Sequence, residues 1–190
     1  SGLVGHDDPM RFTDDARRAR LARRHALHPG HRLTSVVVLF CGAAEEHAGA
    51  LELWHNDPRV TGDLTLEHGY FGSSAPALEA EARDAWLPRG SGAPGLAWQR
   101  GTSVFIDSLE GSGHFLRAQT AARAGIVRAL SLPCQVPGAH TWVLSLLSSA
   151  RTPIARRVES WLPGDDGVHL QRAFGFCEVQ GRLPAGESQA

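Results

Sequence analysis

The stretch that decides the fold runs from Gly92 to Asp107 and reads GAPGLAWQRGTSVFID. Leu96 to Gly101 predicts a short helix that ends at its glycine, because a chain that turns tightly from a helix into a strand needs a residue that tolerates positive φ. Ser103 to Asp107 predicts a strand, since apolar β-branched and aromatic residues fill its centre. A helix joined to a strand by one glycine turn therefore sets the pattern for the surrounding chain.

The segments on both sides continue this alternation of helices and strands. Upstream, good helix formers predict a helix from Ala75 to Trp86, followed by a Pro- and Gly-rich loop at 88–95. Downstream, the sequence predicts a helix that opens at His114–Ala118 and ends at Gly125, and then two strands at Val127–Pro133 and Thr141–Leu147.

An internal repeat links the two ends of the chain. When Trp54 is aligned with Trp161 without gaps, Val36–Cys41 falls on Val143–Ser148, and Glu52 falls on the identical Glu159. After a short gap, Leu64–Tyr70 corresponds to Val168–Phe174. The same unit therefore opens and closes the chain.

The repeat predicts two β-hairpins. Leu51–Trp54 and Val158–Trp161 alternate as half-buried strands do, and each is followed by a cluster of turn residues, at 56–58 and 163–167. The β-branched run at Val36 makes the segment Leu33–Ala48 begin with a strand rather than form a helix.

The order of elements and their glycines resembles a GAF domain. Gly92 and Gly95 before Leu96-Ala97-Trp98, Gly101 before the next strand, Phe115–Ala118, and Ala124-Gly125-Ile126 before the following strand stand as that family places them. The resemblance covers about Gly49 to Ser149. It implies an α+β fold with a central antiparallel sheet of about six strands flanked by helices, and with extra terminal strands.

A narrower resemblance is to bacterial proteins in which GAF units run in tandem. Leu146–Ala155 fits the linker between such units, and a Glu-x-Trp strand follows it. We therefore divide the chain into an N-terminal helical extension (1–32), a GAF-like domain (33–150) and a partial repeat of the opening strands with a tail (151–190). The terminal strands either extend one sheet or cross to a second chain.

The GAF resemblance implies a ligand pocket between one face of the sheet and the segments that cover it. Each aromatic residue there is explained equally well as part of the core. Arg117 and Asp107 could clamp an anion or a ring nitrogen, or form a helix cap or a salt bridge. The candidate ligand-binding residues are Trp54, Tyr70, Trp98, Phe105, Asp107, His114, Phe115, Arg117 and Cys134.

No metal site or known cofactor emerges from the ten histidines and three cysteines. His25, His28 and His31 are explained as cations near a helix C-terminus, although a single axial ligand such as His68, His114 or His140 stays open. Cys41, Cys134 and Cys177 are widely spaced, and no cysteine precedes a histidine, as covalent bilin attachment in this family commonly requires. The cofactor is therefore left unknown and no catalytic residue is assigned.

Composition limits the partners. Nineteen basic and twenty acidic residues leave a net charge of −1, which argues against nucleic acid, and the arginine-rich helix predicted from Thr13 to Leu27 is read as a solvated face. The longest apolar run, Ser35–Cys41, is too short to span a membrane, and no signal peptide is evident, so a cytoplasmic location is expected.

Three functions are compatible with these residues. The leading hypothesis is a non-catalytic sensory domain that binds a small molecule, forms a homodimer and signals to a partner or adjoining domain. The alternatives are a ligand-free interaction or dimerisation module and, third, a thiol-based reductase of the free methionine sulfoxide type centred on Cys134.

Overall fold

The computed structural model describes residues 36–40, 49–71, 76–110, 112–113, 115–135 and 140–189. The predicted N-terminal helix and His25, His28 and His31 lie outside these residues. The chain divides into two compact units. The larger is Ala44–Ile154, and the smaller combines Ser1–Ala43 with Ala155–Ala190; we call them the larger unit and the tail unit.

The larger unit is built on one six-stranded antiparallel sheet with the order β4-β3-β2-β7-β6-β5. This confirms the predicted α+β class and the sheet of about six strands. Its strands are β2 (Gly49–Asn56), β3 (Leu64–Tyr70), β4 (Trp86–Leu87), β5 (Val104–Ile106), β6 (Arg128–Gln135) and β7 (Thr141–Ser148).

Three described helices belong to this unit: α1 (Pro76–Asp84), α2 (Gly92–Arg100) and α3 (Ala118–Arg123). Helix α2 starts four residues before the prediction, because Pro94 falls in the first turn, where a missing N–H is no loss. It ends as predicted at Gly101, whose φ is 67°. Gly95 packs so closely that a Cβ would lie 2.4 Å from the carbonyl oxygen of Pro88.

Helix α3 begins at Ala118, after the predicted opening at His114–Ala118. Phe115 lies instead in a turn, where its carbonyl oxygen accepts a hydrogen bond from the N–H of Ala118 at 3.1 Å. Arg117 is thereby the last residue before the helix, and this position decides where its side chain can reach.

The core lies between the helices and one face of the sheet. Along β2, Ala50, Glu52, Trp54 and Asn56 are buried while Leu51 is exposed, as expected when successive side chains point to opposite faces. We call the buried side the inner face and the other side the outer face. Inner-face residues pack against α1 and α2 through a cluster that includes Trp54, Leu64, Leu78, Ala82, Leu96, Ala97, Ala129 and Val143.

The tail unit carries a second sheet with the order β1-β8-β9-β10, and β11 also pairs with β9. The terminal strands therefore pair with each other instead of extending the six-stranded sheet. The predicted strand near Val36 and both predicted hairpins are confirmed. The strands are β1 (Val36–Phe40), β8 (Arg157–Pro163), β9 (Leu170–Cys177), β10 (Gly181–Leu183) and β11 (Ser188–Gln189).

The two sheets repeat the same strand pairing. Val36 faces Trp161 as Val143 faces Trp54, and the hairpin register shifts at the corresponding places, between Leu53 and Trp54 and between Ser160 and Trp161. A β-bulge at the same position in both hairpins is a specific feature of backbone geometry. The internal repeat predicted from the sequence is therefore also a repeat of structure.

One part of the predicted alignment is wrong by two residues. Leu64–Tyr70 corresponds to Leu170–Phe176, because Leu66 faces Trp54 where Arg172 faces Trp161. Val168 belongs to the turn, where its N–H donates a hydrogen bond to the Asp166 carboxylate at 3.0 Å.

Candidate functional site

A buried carboxylate lies at the centre of the inner face. Glu52 and Trp54 are two residues apart on β2, so both side chains point into the core, and both are 0% exposed. The indole Nε1 of Trp54 donates a hydrogen bond to Glu52 Oε2 at 3.0 Å. A buried carboxylate also needs a positive partner, because an unpaired charge is costly in a core.

Arg117 supplies that charge. Its Nη1 and Nη2 donate to Glu52 Oε1 and Oε2 at 2.7 and 2.8 Å, which makes a two-pronged ion pair. The guanidinium carbon lies 5.5 Å from the centre of the Trp54 ring and 5.2 Å from that of Phe115. The arginine is thus fixed between two aromatic rings at the point where α3 begins.

Two serines continue the polar groups across the sheet. Ser145 on β7 faces Glu52, and Ser131 on β6 faces Ser145. Their hydroxyl oxygens are 2.7 Å apart, and Ser131 and Ser145 are 0% and 1% exposed. We call Glu52, Ser145 and Ser131 the polar row; it crosses three neighbouring strands beneath the helices.

The tail unit repeats part of this arrangement. Trp161 Nε1 donates to Glu159 Oε2 at 3.1 Å, Arg172 Nη1 donates to Glu159 Oε1 at 3.2 Å, and the guanidinium carbon lies 5.3 Å from the centre of the Trp161 ring. Val38, however, faces Glu159 where Ser145 faces Glu52. The Glu–Trp–Arg cluster is thus common to both units, whereas Ser145 has valine as its counterpart.

The structure brings together three of the nine predicted ligand-binding residues, namely Trp54, Phe115 and Arg117. Tyr70 and Cys134 are exposed, and like Phe105 they occupy register positions of the outer face. Trp98 lies on α2 with the Arg89 guanidinium 5.8 Å from its ring centre, and the carbonyl oxygen of Asp107, just after β5, accepts a hydrogen bond from Arg128. His114 lies outside the described residues.

Sequence reasoning missed the polar row. Glu52 carried a signal, because the Glu-x-Trp pair is identical in both copies and its spacing places both side chains on one face of a strand. Ser131 and Ser145 carried a weaker signal, since each is the centre of a Leu-Ser-Leu triplet, at 130–132 and 144–146. Their hydroxyl contact depends on the register of β6 against β7, which the triplets do not define.

The described cysteines lie on separate strands, and the described histidines and cysteines form no metal site. Cys134 lies on β6 and Cys177 on β9, while Cys41 is outside the described part of the chain. Within that part, no group of three or more His, Cys, Asp or Glu side chains could hold a metal ion. Nor is any described helix long and apolar enough to cross a membrane.

The larger unit defines the class of fold: an antiparallel six-stranded sheet covered on its inner face by short helices, as in GAF-like domains. No family model matches the sequence, and no curated protein matches it.

Solved structures similar to this chain have GAF-like folds. One is free methionine-R-sulfoxide reductase from Neisseria meningitidis, in complex with its substrate, with 17% identity, a TM-score of 0.39, and 52% of this chain and 51% of that chain covered. Another is the GAF domain of a phosphoenolpyruvate-protein phosphotransferase from Coxiella burnetii, with 16% identity, a TM-score of 0.42, and 53% and 56% covered.

A third similar structure is the Staphylococcus aureus protein NreA mutated in its nitrate binding site, with 9% identity, a TM-score of 0.41, and 72% and 84% covered. This chain spans about half the length of the first two proteins. The fold agrees with the resemblance predicted from the sequence. With TM-scores below 0.5, these similarities do not indicate what the chain binds.

Proposed function

We propose that the larger unit is a non-catalytic sensory domain that binds a small polar ligand at the polar row and transmits the bound state to a partner or adjoining domain. The observation that carries this proposal is the buried hydroxyl pair of Ser131 and Ser145 beside the Glu52–Arg117 ion pair.

The comparison with the tail unit separates the buried polar groups that the sheet requires from those that a ligand would use. Both units bury a Glu–Trp–Arg cluster, so that cluster is explained by the sheet itself. The tail unit builds the same strand pair with Val38 in place of Ser145. A buried hydroxyl needs a hydrogen-bond partner and a valine does not, so the serine pair adds polar groups that packing of this strand pair does not require; this supports recognition.

The polar row offers both kinds of hydrogen-bonding group to a ligand. A serine hydroxyl donates one hydrogen bond and accepts two, and the guanidinium of Arg117 presents a planar set of donors. Arg117 directly precedes α3. A ligand that changes the Arg117–Glu52 contact would therefore shift the start of α3, which gives the bound state a route to the surface.

Native mass spectrometry of the full chain, purified directly from cells, tests the proposal. We expect a stoichiometric small-molecule adduct that denaturation releases. The adduct should be lost in Ser145→Val and in Ser131→Ala but kept in Ser160→Ala, a buried serine of the tail unit. A clean apo mass for the wild type, or an adduct that survives both polar-row substitutions, would contradict it.

The outer face favours a second candidate, an interaction or dimerisation module. Tyr70 and Leu51 face each other on neighbouring strands and are 73% and 43% exposed, and Trp86 on the edge strand is 59% exposed. Neighbouring exposed apolar side chains, such as the Tyr70–Leu51 pair, are typical of protein contacts.

Sedimentation velocity tests this second candidate. The wild type should be a dimer, Leu51→Glu should be a monomer, and Val60→Glu, at an equally apolar but isolated exposed position, should leave the dimer intact. A wild type that is monomeric at all concentrations would remove this candidate and leave the first untouched.

A further inference from the structure

Two imidazole rings meet at one end of the six-stranded sheet. His55 is the second-last residue of β2, and His140 directly precedes β7. His55 Nε2 and His140 Nδ1 are 2.8 Å apart, and the two rings are nearly parallel, at 12°. On the outer face, the His55 ring also stacks on Trp142 with ring centres 4.1 Å apart.

This contact limits how many protons the pair can hold. A hydrogen bond between two ring nitrogens needs one N–H and one lone pair. With both rings neutral, one nitrogen donates; with one ring protonated, the same bond becomes charge-assisted and stronger. With both rings protonated, both facing nitrogens carry hydrogen, and two positive charges lie 2.8 Å apart.

Two carboxylates lie beside the pair. Glu67 Oε2 on β3 lies 3.8 Å from His55 Nδ1, and Asp57 Oδ2 in the β2–β3 turn lies 4.0 Å from His140 Nδ1. Hydrogen bonds from the side chain and then the backbone N–H of Arg59 hold the pKa of Asp57 well below its usual value of 3.8, so this carboxylate stays ionised wherever histidine titrates.

Among the described residues, two further titratable side chains lie on the strands next to the pair. Cys134 on β6 faces Trp142, and His68 on β3 faces Leu53, two residues before His55. The tail unit has Leu162 at the position of His55, so the histidine pair is not part of the internal repeat.

We propose that His55 and His140 form a pH-operated link between the ends of β2 and β7. The link is closed with no added proton or with one, and the second proton opens it by removing the lone pair that joins the rings. Opening separates His140 from the β2–β3 turn and unstacks His55 from Trp142. This proposal is independent of the ligand proposed above.

Histidine ring titration by NMR on the full ¹⁵N-labelled chain, over roughly pH 4–9, tests the link. In the wild type we expect coupled titration of His55 and His140 in two steps, and a single step in His140→Asn or His55→Gln.

A second readout does not depend on these variants folding. The fluorescence of Trp142, taken as the wild type minus Trp142→Phe, should change most at the second protonation step, at which the stack with His55 opens. Independent titration of the two histidines with equal midpoints, or a Trp142 signal that does not follow the second step, would overturn the proposal.

Discussion

The two Glu–Trp–Arg clusters start from the same strand and the same bulge but obtain their arginine in different ways. In the tail unit, Arg172 lies on the neighbouring strand, 13 positions from Glu159. In the larger unit, Leu66 occupies that strand position, and Arg117 comes from the segment before α3, 65 positions from Glu52.

The contact in the tail unit is therefore made within one hairpin, whereas the contact in the larger unit joins the start of a helix to the sheet. Glu159 also has a second cation, since Arg157 Nη2 lies 2.6 Å from its Oε1. For Glu52, the described ion pair is with Arg117. The larger unit therefore depends on one long-range partner where the tail unit has two local ones.

The largest expected effect comes from removing that long-range partner. Arg117→Met leaves the Glu52 carboxylate buried without a cation and should lower the free energy of unfolding by about 3–5 kcal/mol. Arg172→Met should cost clearly less, because Arg157 stays on Glu159. Urea unfolding of the full chain gives the loss in the free energy of unfolding for each variant. Hydrogen exchange in β2 and β8 then assigns that loss to one of the two units.

A paired substitution sharpens the same test. Glu52→Leu together with Arg117→Met removes both charges and should recover most of the loss seen in Arg117→Met alone. Equal losses for the two single arginine variants would mean that the second cation on Glu159 contributes nothing.

The tryptophans should show the similarity of the two clusters. Trp54→Phe and Trp161→Phe each remove one N–H donor from a buried carboxylate, at 3.0 and 3.1 Å, so each should cost about 1.5–3 kcal/mol. We expect the two losses to agree within about 1 kcal/mol, measured by urea unfolding. A large difference between the two losses would show that the same geometry does not give the two clusters the same stabilisation.

The serines should show where the clusters differ. Ser145→Val leaves the buried hydroxyl of Ser131 without its partner and should cost about 1–3 kcal/mol. The double variant Ser131→Ala/Ser145→Val, which brings the strand pair closer to the tail unit's composition, should be more stable than Ser145→Val alone. If the double variant is the less stable one, the hydroxyls are needed for packing, and the argument for recognition fails.

The smallest effects concern the turns that follow β2 and β8. Hydrogen bonds from the backbone N–H of His169, then from its ring, and from the N–H of Val168 lower the pKa of Asp166 to about 2. The pKa of Asp57 is lowered as well, by Arg59. A lowered carboxyl pKa adds stability above the ordinary value of 3.8, and that stability is lost as the pH falls through the folded value.

Both turns should therefore loosen only in acid. We expect amide exchange at Val168 and His169 to speed up as the pH falls from about 4 to about 2 after correction for intrinsic rates, and exchange at Arg59 to do so at still lower pH. Asp166→Asn should abolish the pH dependence in the tail turn and leave the turn after β2 unchanged.

Much of the fold was predictable from local signals. The glycine that ends α2, the strand at Val36 and the two hairpins depend on residues near one another in the chain. The repeat anchored on Trp54 and Trp161 is visible because the same residues recur at a constant spacing. The alignment of β3 with β9 failed because Val168 and His169 look like strand residues, whereas hydrogen bonds to Asp166 and from Gly164 N–H to the His169 carbonyl oxygen hold them in the turn.

The candidate site was predictable only in part. The GAF resemblance predicts Trp54, Phe115 and Arg117 around a pocket, and the structure joins them. It does not predict Glu52, although the repeat marks that residue, because an acidic residue in an alternating strand normally lies on the solvent side. Its burial depends on which face the helices cover.

The sequence by itself determined the local elements, the glycine turns between them and the equivalence of the two strand pairs, because these follow from neighbouring side chains and backbone preferences. Only the tertiary structure decided that β1 pairs with β8, that Arg117 reaches Glu52 and that Ser131 meets Ser145. Those contacts join residues far apart in the chain, so they form only when the whole sheet and its helices pack together. Burying charges and hydroxyls as partners then costs less free energy than burying each of them alone.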